Sequence, residues 1–161
     1  MAEVKIIYWS GTGKAAMAQS VADGVTAAGA EAKIIPVENA GAADIADVKA
    51  FALGCPSMGA EQLEESSMEP FVEEILGSVS GKKILLFGSY GWGDGEWMHN
   101  WEDKCKEDGA VLVSDGVICQ EEPDDDFYDY EEEEKMSKAP IIILAIAILI
   151  VAALIIFMLL K

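Results

Sequence analysis

A doubly wound α/β domain on five parallel strands, with one transmembrane helix after it, is predicted by three observations on this 161-residue chain. Short apolar runs alternate with longer helical patterns, several runs are apolar at nearly every position, and twenty uninterrupted apolar residues extend from Ile141 to Leu160. Alternation of strand and helix builds a parallel sheet between helical layers. A strand covered on both faces loses the polar alternation of a half-exposed one.

In chain order, Val4–Trp9 is the first predicted strand and Lys14–Ala28 the helix that follows it. The apolar runs Ala32–Val37, Ala50–Gly54 and Ile84–Gly88 supply the next three strands, and Val111–Cys119 the fifth. Helices are predicted over Met68–Leu76 and Glu96–Asp108. In such a sheet a ligand binds outside the C-terminal ends of the strands, at a topological switch point.

As a helix, Ile141–Leu160 is about 30 Å long, the hydrocarbon thickness of a bilayer. It has no polar face, which argues against a buried core helix, and its position argues against a signal peptide. Lys135 and Lys138 precede it and Lys161 follows, while Met1-Ala2-Glu3-Val4-Lys5 leads straight into a strand with no export signal. The expected arrangement is a single-pass membrane protein whose N-terminal domain faces the cytoplasm. Its expected parts are a domain over 1–125, an acidic linker or shortened last helix over 126–139, and an anchor over 140–161.

The formal charge is −18, from 29 acids against 11 cations that are all lysine. Residues 1–134 hold 8 of those lysines and every acid, a net of −21, and Glu121–Glu134 carries ten acids in fourteen residues. Nucleic acid is excluded as a partner, because binding it requires cations that neutralise phosphate. A redox protein or membrane complex presenting a basic docking patch fits the acidic surface. The acidic segment reads as a solvated linker that anionic lipid headgroups repel. Cys55, Cys105 and Cys119 form no CxxC or Cys/His array, so neither a disulfide framework nor a zinc site is expected.

Three loops carry the candidate chemistry. Ser10-Gly11-Thr12-Gly13-Lys14-Ala15, after the first strand, is a small-residue turn opening into a helix, where free backbone N–H groups and the helix dipole cradle an anion. It is neither a Walker A loop, which needs glycine where Tyr8 stands, nor a GxGxxG dinucleotide turn. After the third strand comes Gly54-Cys55-Pro56-Ser57-Met58-Gly59-Ala60-Glu61-Gln62-Leu63-Glu64-Glu65, and after the fourth Gly88-Ser89-Tyr90-Gly91-Trp92-Gly93-Asp94-Gly95-Glu96-Trp97-Met98. In order and placement these loops resemble short-chain bacterial flavodoxins of the clostridial type, over roughly residues 3 to 125.

The resemblance implies strand order 2-1-3-4-5, noncovalent FMN and single-electron transfer. It implies that Ser10, Gly11, Thr12, Gly13, Lys14 and Ala15 line the phosphate, and that Met58 and Trp92 cover opposite faces of the isoalloxazine ring. Gly59 would present a flexible peptide carbonyl to the flavin N5, Glu61 would accept from N3, backbone groups at Gly91 would lie near N1 and O2, and Ser89 near the ribityl chain. Pro56, Ser57, Tyr90, Gly93 and Gln120 complete the implied cofactor contacts. Lys14-Ala15 stands where such flavodoxins commonly have Asn-Thr, which replaces a hydroxyl donor with a mobile cation. The family's last helix, which follows Pro-Asp, here runs from Pro123-Asp124 into a strongly acidic stretch.

The residue chemistry agrees with those roles. An aromatic platform and a soft thioether suit a planar apolar ring, and glycine allows positive φ without a Cβ penalty. One carboxylate about 10 Å from an anionic flavin opposes it by roughly 1.7 kcal/mol at an effective dielectric of about 20. A low-potential carrier follows. Elsewhere the expectations are plainer: Trp97 and Trp101 pack a helix, Cys55 is a small buried thiol, Glu64 and Glu65 form a solvated face, and His99 is a surface residue without a carboxylate partner in the motifs. A cofactor-free docking subunit of a membrane complex is the alternative reading, and a self-contained NAD(P)H-dependent flavin reductase a third.

Overall fold

The computed structural model describes residues 2–9, 11 and 16–120. Strand β1 (Glu3–Tyr8) leads to helix α1 (Ala16–Ala27), β2 (Glu31–Pro36), a 3-10 turn (Val37–Asn39), α2 (Ala42–Ala46), β3 (Ala50–Gly54), α3 (Met68–Leu76), β4 (Lys83–Tyr90), α4 (Glu96–Glu107), β5 (Val111–Leu112) and β6 (Val117–Gln120). The sheet order is β2-β1-β3-β4-β5, all parallel, with β6 also paired to β4. The expected order 2-1-3-4-5 is therefore observed, with the last strand in two pieces.

That split corrects the single strand expected over Val111–Cys119. Leu112 pairs with Ile84 and Val117 with Phe87, so five steps along one chain match three along β4. The surplus bulges at Ser114-Asp115-Gly116. Glu102 accepts the Gly116 N–H, and a Cβ at Gly116 would overlap Met98, so glycine and carboxylate together fix the bulge.

Each central strand feeds both layers of the core. Ile7, Phe51, Leu53, Ile84 and Leu86 face α3 and α4, while Ile6, Ala50, Ala52, Leu85 and Phe87 face the side where α1 packs through Ala18, Val21 and Val25. Burial of apolar side chains on both faces is what a parallel sheet requires. Helix α1 stops at Gly29 (φ +86), with Gly29 N–H donating to Thr26 and Ala30 N–H to Val25, and α4 stops the same way at Gly109 (φ +84). Such left-handed termini satisfy carbonyls that a helix end leaves unpaired.

Helix α2 was not anticipated, because five residues are too few to show helical periodicity. Asp44 accepts the Gly41 N–H at its start, and Lys82 Nζ donates to the carbonyls of Ile45, Ala46 and Val48 at its end. Among the described residues no helix is long and apolar enough to cross a membrane. The expected span Ile141 to Leu160 and the acidic segment before it lie outside the described residues, as do Ser10, Thr12, Gly13, Lys14 and Ala15 of the anion-binding turn.

Candidate functional site

The C-terminal ends of β1, β3, β4 and β6 meet at one edge of the sheet: Tyr8 is level with Gly54, Gly54 with Phe87, and Tyr90 with Gln120. Two of the predicted loops leave the sheet there side by side. The chain after β3 stays extended along β4, with Cys55 N–H donating to Phe87 and Ser57 N–H to Ser89 at 2.8 Å. Gly88 allows that approach, since a Cβ there would overlap the Cys55 carbonyl.

Met58 and Gln62 then exchange two backbone hydrogen bonds, each 2.9 Å, which closes Gly59-Ala60-Glu61 into a tight hairpin tip. Gly59 and Glu61 both have positive φ, +52 and +53. Gly59 and Ala60 are exposed, and a Cβ at Gly59 would meet nothing within 4 Å. The tip is thus sterically free above a fixed stem.

Glu61 connects this hairpin to the second loop, its Oε1 accepting the N–H of Gly95 at 3.1 Å and of Glu96 at 3.3 Å. Those donors are the opening N–H groups of α4, where an acceptor satisfies otherwise unpaired backbone and meets the positive end of the helix dipole. Gly93 has φ +88, which favours glycine, and a Cβ there would push the Glu61 carboxylate out of this position. Oxygens of Glu61, Asp94 and Glu96 lie within 4.8 Å of one another, which concentrates negative charge beside the hairpin.

In the second loop, Trp92 is 63% exposed although the other three tryptophans are at least partly covered. Gly91 beside it borders open space. Tyr90 packs its ring against Trp97 at 5.7 Å. Trp97 and Trp101 are buried in the core, as expected of packing residues, and Trp97 Nε1 donates to the Cys55 carbonyl at 3.2 Å. On the β1 side Gly11 sits over the Trp9 indole, where a Cβ would collide with the ring.

These residues fit FMN: an exposed indole and a half-buried thioether, Trp92 and Met58, on adjoining loops offer a platform for a planar ring. A family model described as flavodoxin matches residues 6–134. The chain belongs to the flavodoxin family. It is 46% identical to the flavodoxin of Clostridium beijerinckii over 122 residues, 75% of this chain and 88% of that one. Identity to the Megasphaera elsdenii flavodoxin is 43% over 122 residues, again 75% of this chain and 88% of that one. The solution structure of the two-electron reduced Megasphaera elsdenii flavodoxin matches with a TM-score of 0.68, covering 71% of this chain and 85% of that one. FMN is the family's cofactor, and a flavodoxin is an electron-transfer protein rather than an enzyme.

One sequence expectation is corrected. Glu64 is not on a solvated face: it is 6% exposed, and its carboxylate accepts from the N–H groups of Ser66, Ser67 and Met68 and from the Ser66 hydroxyl. Burial opposes its charge, yet those hydrogen bonds hold the carboxyl below its ordinary value. His99 is exposed as expected, and its carboxylate partner at 3.3 Å, Glu102, lies on α4 outside the three loops. The one signal for Glu64 was an acid placed just ahead of a helix start. Cys55 is the buried thiol expected, and burial pushes it up to about 12, which removes it from thiolate chemistry near neutral pH.

Proposed function

We propose that the chain is a membrane-tethered flavodoxin, a low-potential one-electron carrier that serves a membrane-associated redox partner. The observation that carries the reading is the exposed Trp92 on the loop that Glu61 ties to the Met58–Gln62 hairpin, with three carboxylates gathered at that tie. Bound FMN supplies the redox chemistry, accepting and releasing single electrons. Gly11 with Ser10, Thr12, Gly13, Lys14 and Ala15 holds the phosphate, and Met58 and Trp92 enclose the ring. Pro56, Ser57, Ser89, Tyr90, Gly91, Gly93 and Gln120 complete the cofactor shell. Gly59 offers its peptide carbonyl from the free hairpin tip, and Glu61 orients the ring edge while holding the two loops together. Glu61, Asp94 and Glu96 oppose added negative charge, which lowers the potential.

In this reading residues 1–125 form the carrier, 126–139 a linker or shortened last helix, and 140–161 a single-pass anchor that keeps the carrier at the cytoplasmic face. Glu131–Ala139 reaches at most about 30 Å when extended. Confinement to that distance raises the effective concentration at a membrane partner without any new contact. The partner presents a basic patch to the acidic rim around Trp92. Twenty apolar residues without a polar face support the anchor.

Flotation with neutral lipid vesicles tests the tether. Full-length protein should rise with the lipid and stay there through a high-salt wash; recovery in the soluble fraction would overturn the anchor. Added NADPH should leave bound FMN oxidised, and rapid bleaching without another protein would favour a reductase.

A further inference from the structure

The hairpin that carries Gly59 has two feet, and the structure joins them. Cys55 precedes the hairpin and is 1% exposed; Glu64 follows it and is 6% exposed. The Glu64 N–H donates to Cys55 Sγ at 3.5 Å, and the thiol donates onward to the Pro56 carbonyl at 3.4 Å. Behind Cys55, its own N–H and carbonyl are fixed by Phe87 and by Trp97 Nε1. Behind Glu64, the carboxylate gathers the opening N–H groups of α3, and the Glu64 carbonyl accepts from Glu69 at 2.8 Å. Ser67, the residue at the helix cap, makes no side-chain capping bond, so Glu64 does this from three residues upstream.

We propose that Glu64 and Cys55 are positioning residues that lock the hairpin stem, confining its motion to the Gly59-Ala60-Glu61 tip and so setting how readily the tip peptide meets the flavin. The proposal rests on the carrier reading above and adds a pair outside the cofactor shell. A buried, fully hydrogen-bonded network rigidifies the segment it spans, whereas an exposed tip with two positive-φ residues has low-energy alternatives. In Glu64→Gln only one acceptor oxygen remains, so either the Ser66 donors or the N–H groups of Ser67 and Met68 face an amide N–H, opening the stem at one foot. In Cys55→Ala the other foot loses its acceptor while the α3 cap stays intact.

Full-length protein with FMN is measured in four forms: unaltered, Glu64→Gln, Cys55→Ala, and Glu65→Gln, an exposed neighbour that removes the same charge. The readouts are amide hydrogen exchange at Met58 and Gln62 and the two one-electron midpoint potentials. Exchange is expected to accelerate about tenfold or more in Glu64→Gln and Cys55→Ala, with a changed gap between the two potentials. Glu65→Gln should change the potentials by the lost charge alone, so that the gap in Glu64→Gln differs from the gap in Glu65→Gln, and should leave exchange within about twofold. Equal shifts in Glu64→Gln and Glu65→Gln with unchanged exchange would overturn the proposal, as would faster exchange with an unchanged gap. If Glu64→Gln does not fold, Cys55→Ala decides alone by the same criteria. Unaltered protein that takes up no FMN would overturn the carrier reading and this inference with it, a result distinct from variants that bind FMN and behave like the unaltered chain.

Discussion

Glu61 Oε1 accepts the Gly95 N–H at 3.1 Å, so one carboxylate ties the hairpin after β3 to the first turn of α4 across 34 residues of chain. Replacing Glu61 by Ala removes that tie and leaves two helix-opening N–H groups without their acceptor. We expect a stability loss of about 1–2 kcal/mol in urea unfolding. FMN affinity should fall more than in Asp94→Asn, which keeps the tie; equal losses in the two variants would mean that only charge matters here.

Lys82 is a control on the scaffold. Its ammonium donates to three carbonyls at the end of α2, at 2.8 to 3.0 Å, on a part of the fold whose bonds do not touch the candidate site. Lys82→Met should cost about 1–3 kcal/mol, as expected for hydrogen bonds to a charged group, while FMN uptake is unchanged.

Gly88 sits where β4 passes the Cys55 carbonyl, and a Cβ would press on backbone rather than on a side chain that can swing aside. Gly88→Ala should therefore destabilise by about 1–3 kcal/mol or more. Unlike Lys82→Met it should also weaken FMN binding, because it displaces the strand from which the hairpin grows.

Glu64 predicts a pH dependence with a definite sign. Its carboxyl lies below the ordinary value of 4.5 in the native chain: burial pushes it up, and bonds from the Ser66 hydroxyl and the N–H groups of Met68, Ser66 and Ser67 outweigh that. The unfolded chain therefore takes up the proton first as pH falls. The contribution is fully present above about pH 4.5 and is lost as pH drops through the native value. The stability gap between unaltered protein and Glu64→Gln should shrink between pH 7 and pH 3; a constant gap would contradict the assignment.

Ala50–Gly54 and Met68–Leu76 were legible residue for residue, the first as an apolar run ended by Cys55-Pro56, the second as a helix started after Ser66-Ser67 and ended at Gly77. The loops after β3 and β4 were legible through their glycines and through Trp92, while of the loop after β1 only Gly11 is among the described residues. The break between β5 and β6 was written in Ser114-Asp115-Gly116, but flanking valines made the run read as continuous. Glu64 was not legible, because Leu63-Glu64-Glu65-Ser66-Ser67 has the composition of a solvated turn. Its burial comes from Cys55, nine residues earlier, and from the start of α3, so only tertiary structure separates it from Glu65.

The most direct test is the visible spectrum of full-length protein in mild detergent, titrated with FMN and then reduced stepwise. One FMN per chain, with reduction resolved into two one-electron stages, is the predicted result. Folded protein that binds no FMN at any concentration would contradict the account and leave a cofactor-free docking subunit in its place.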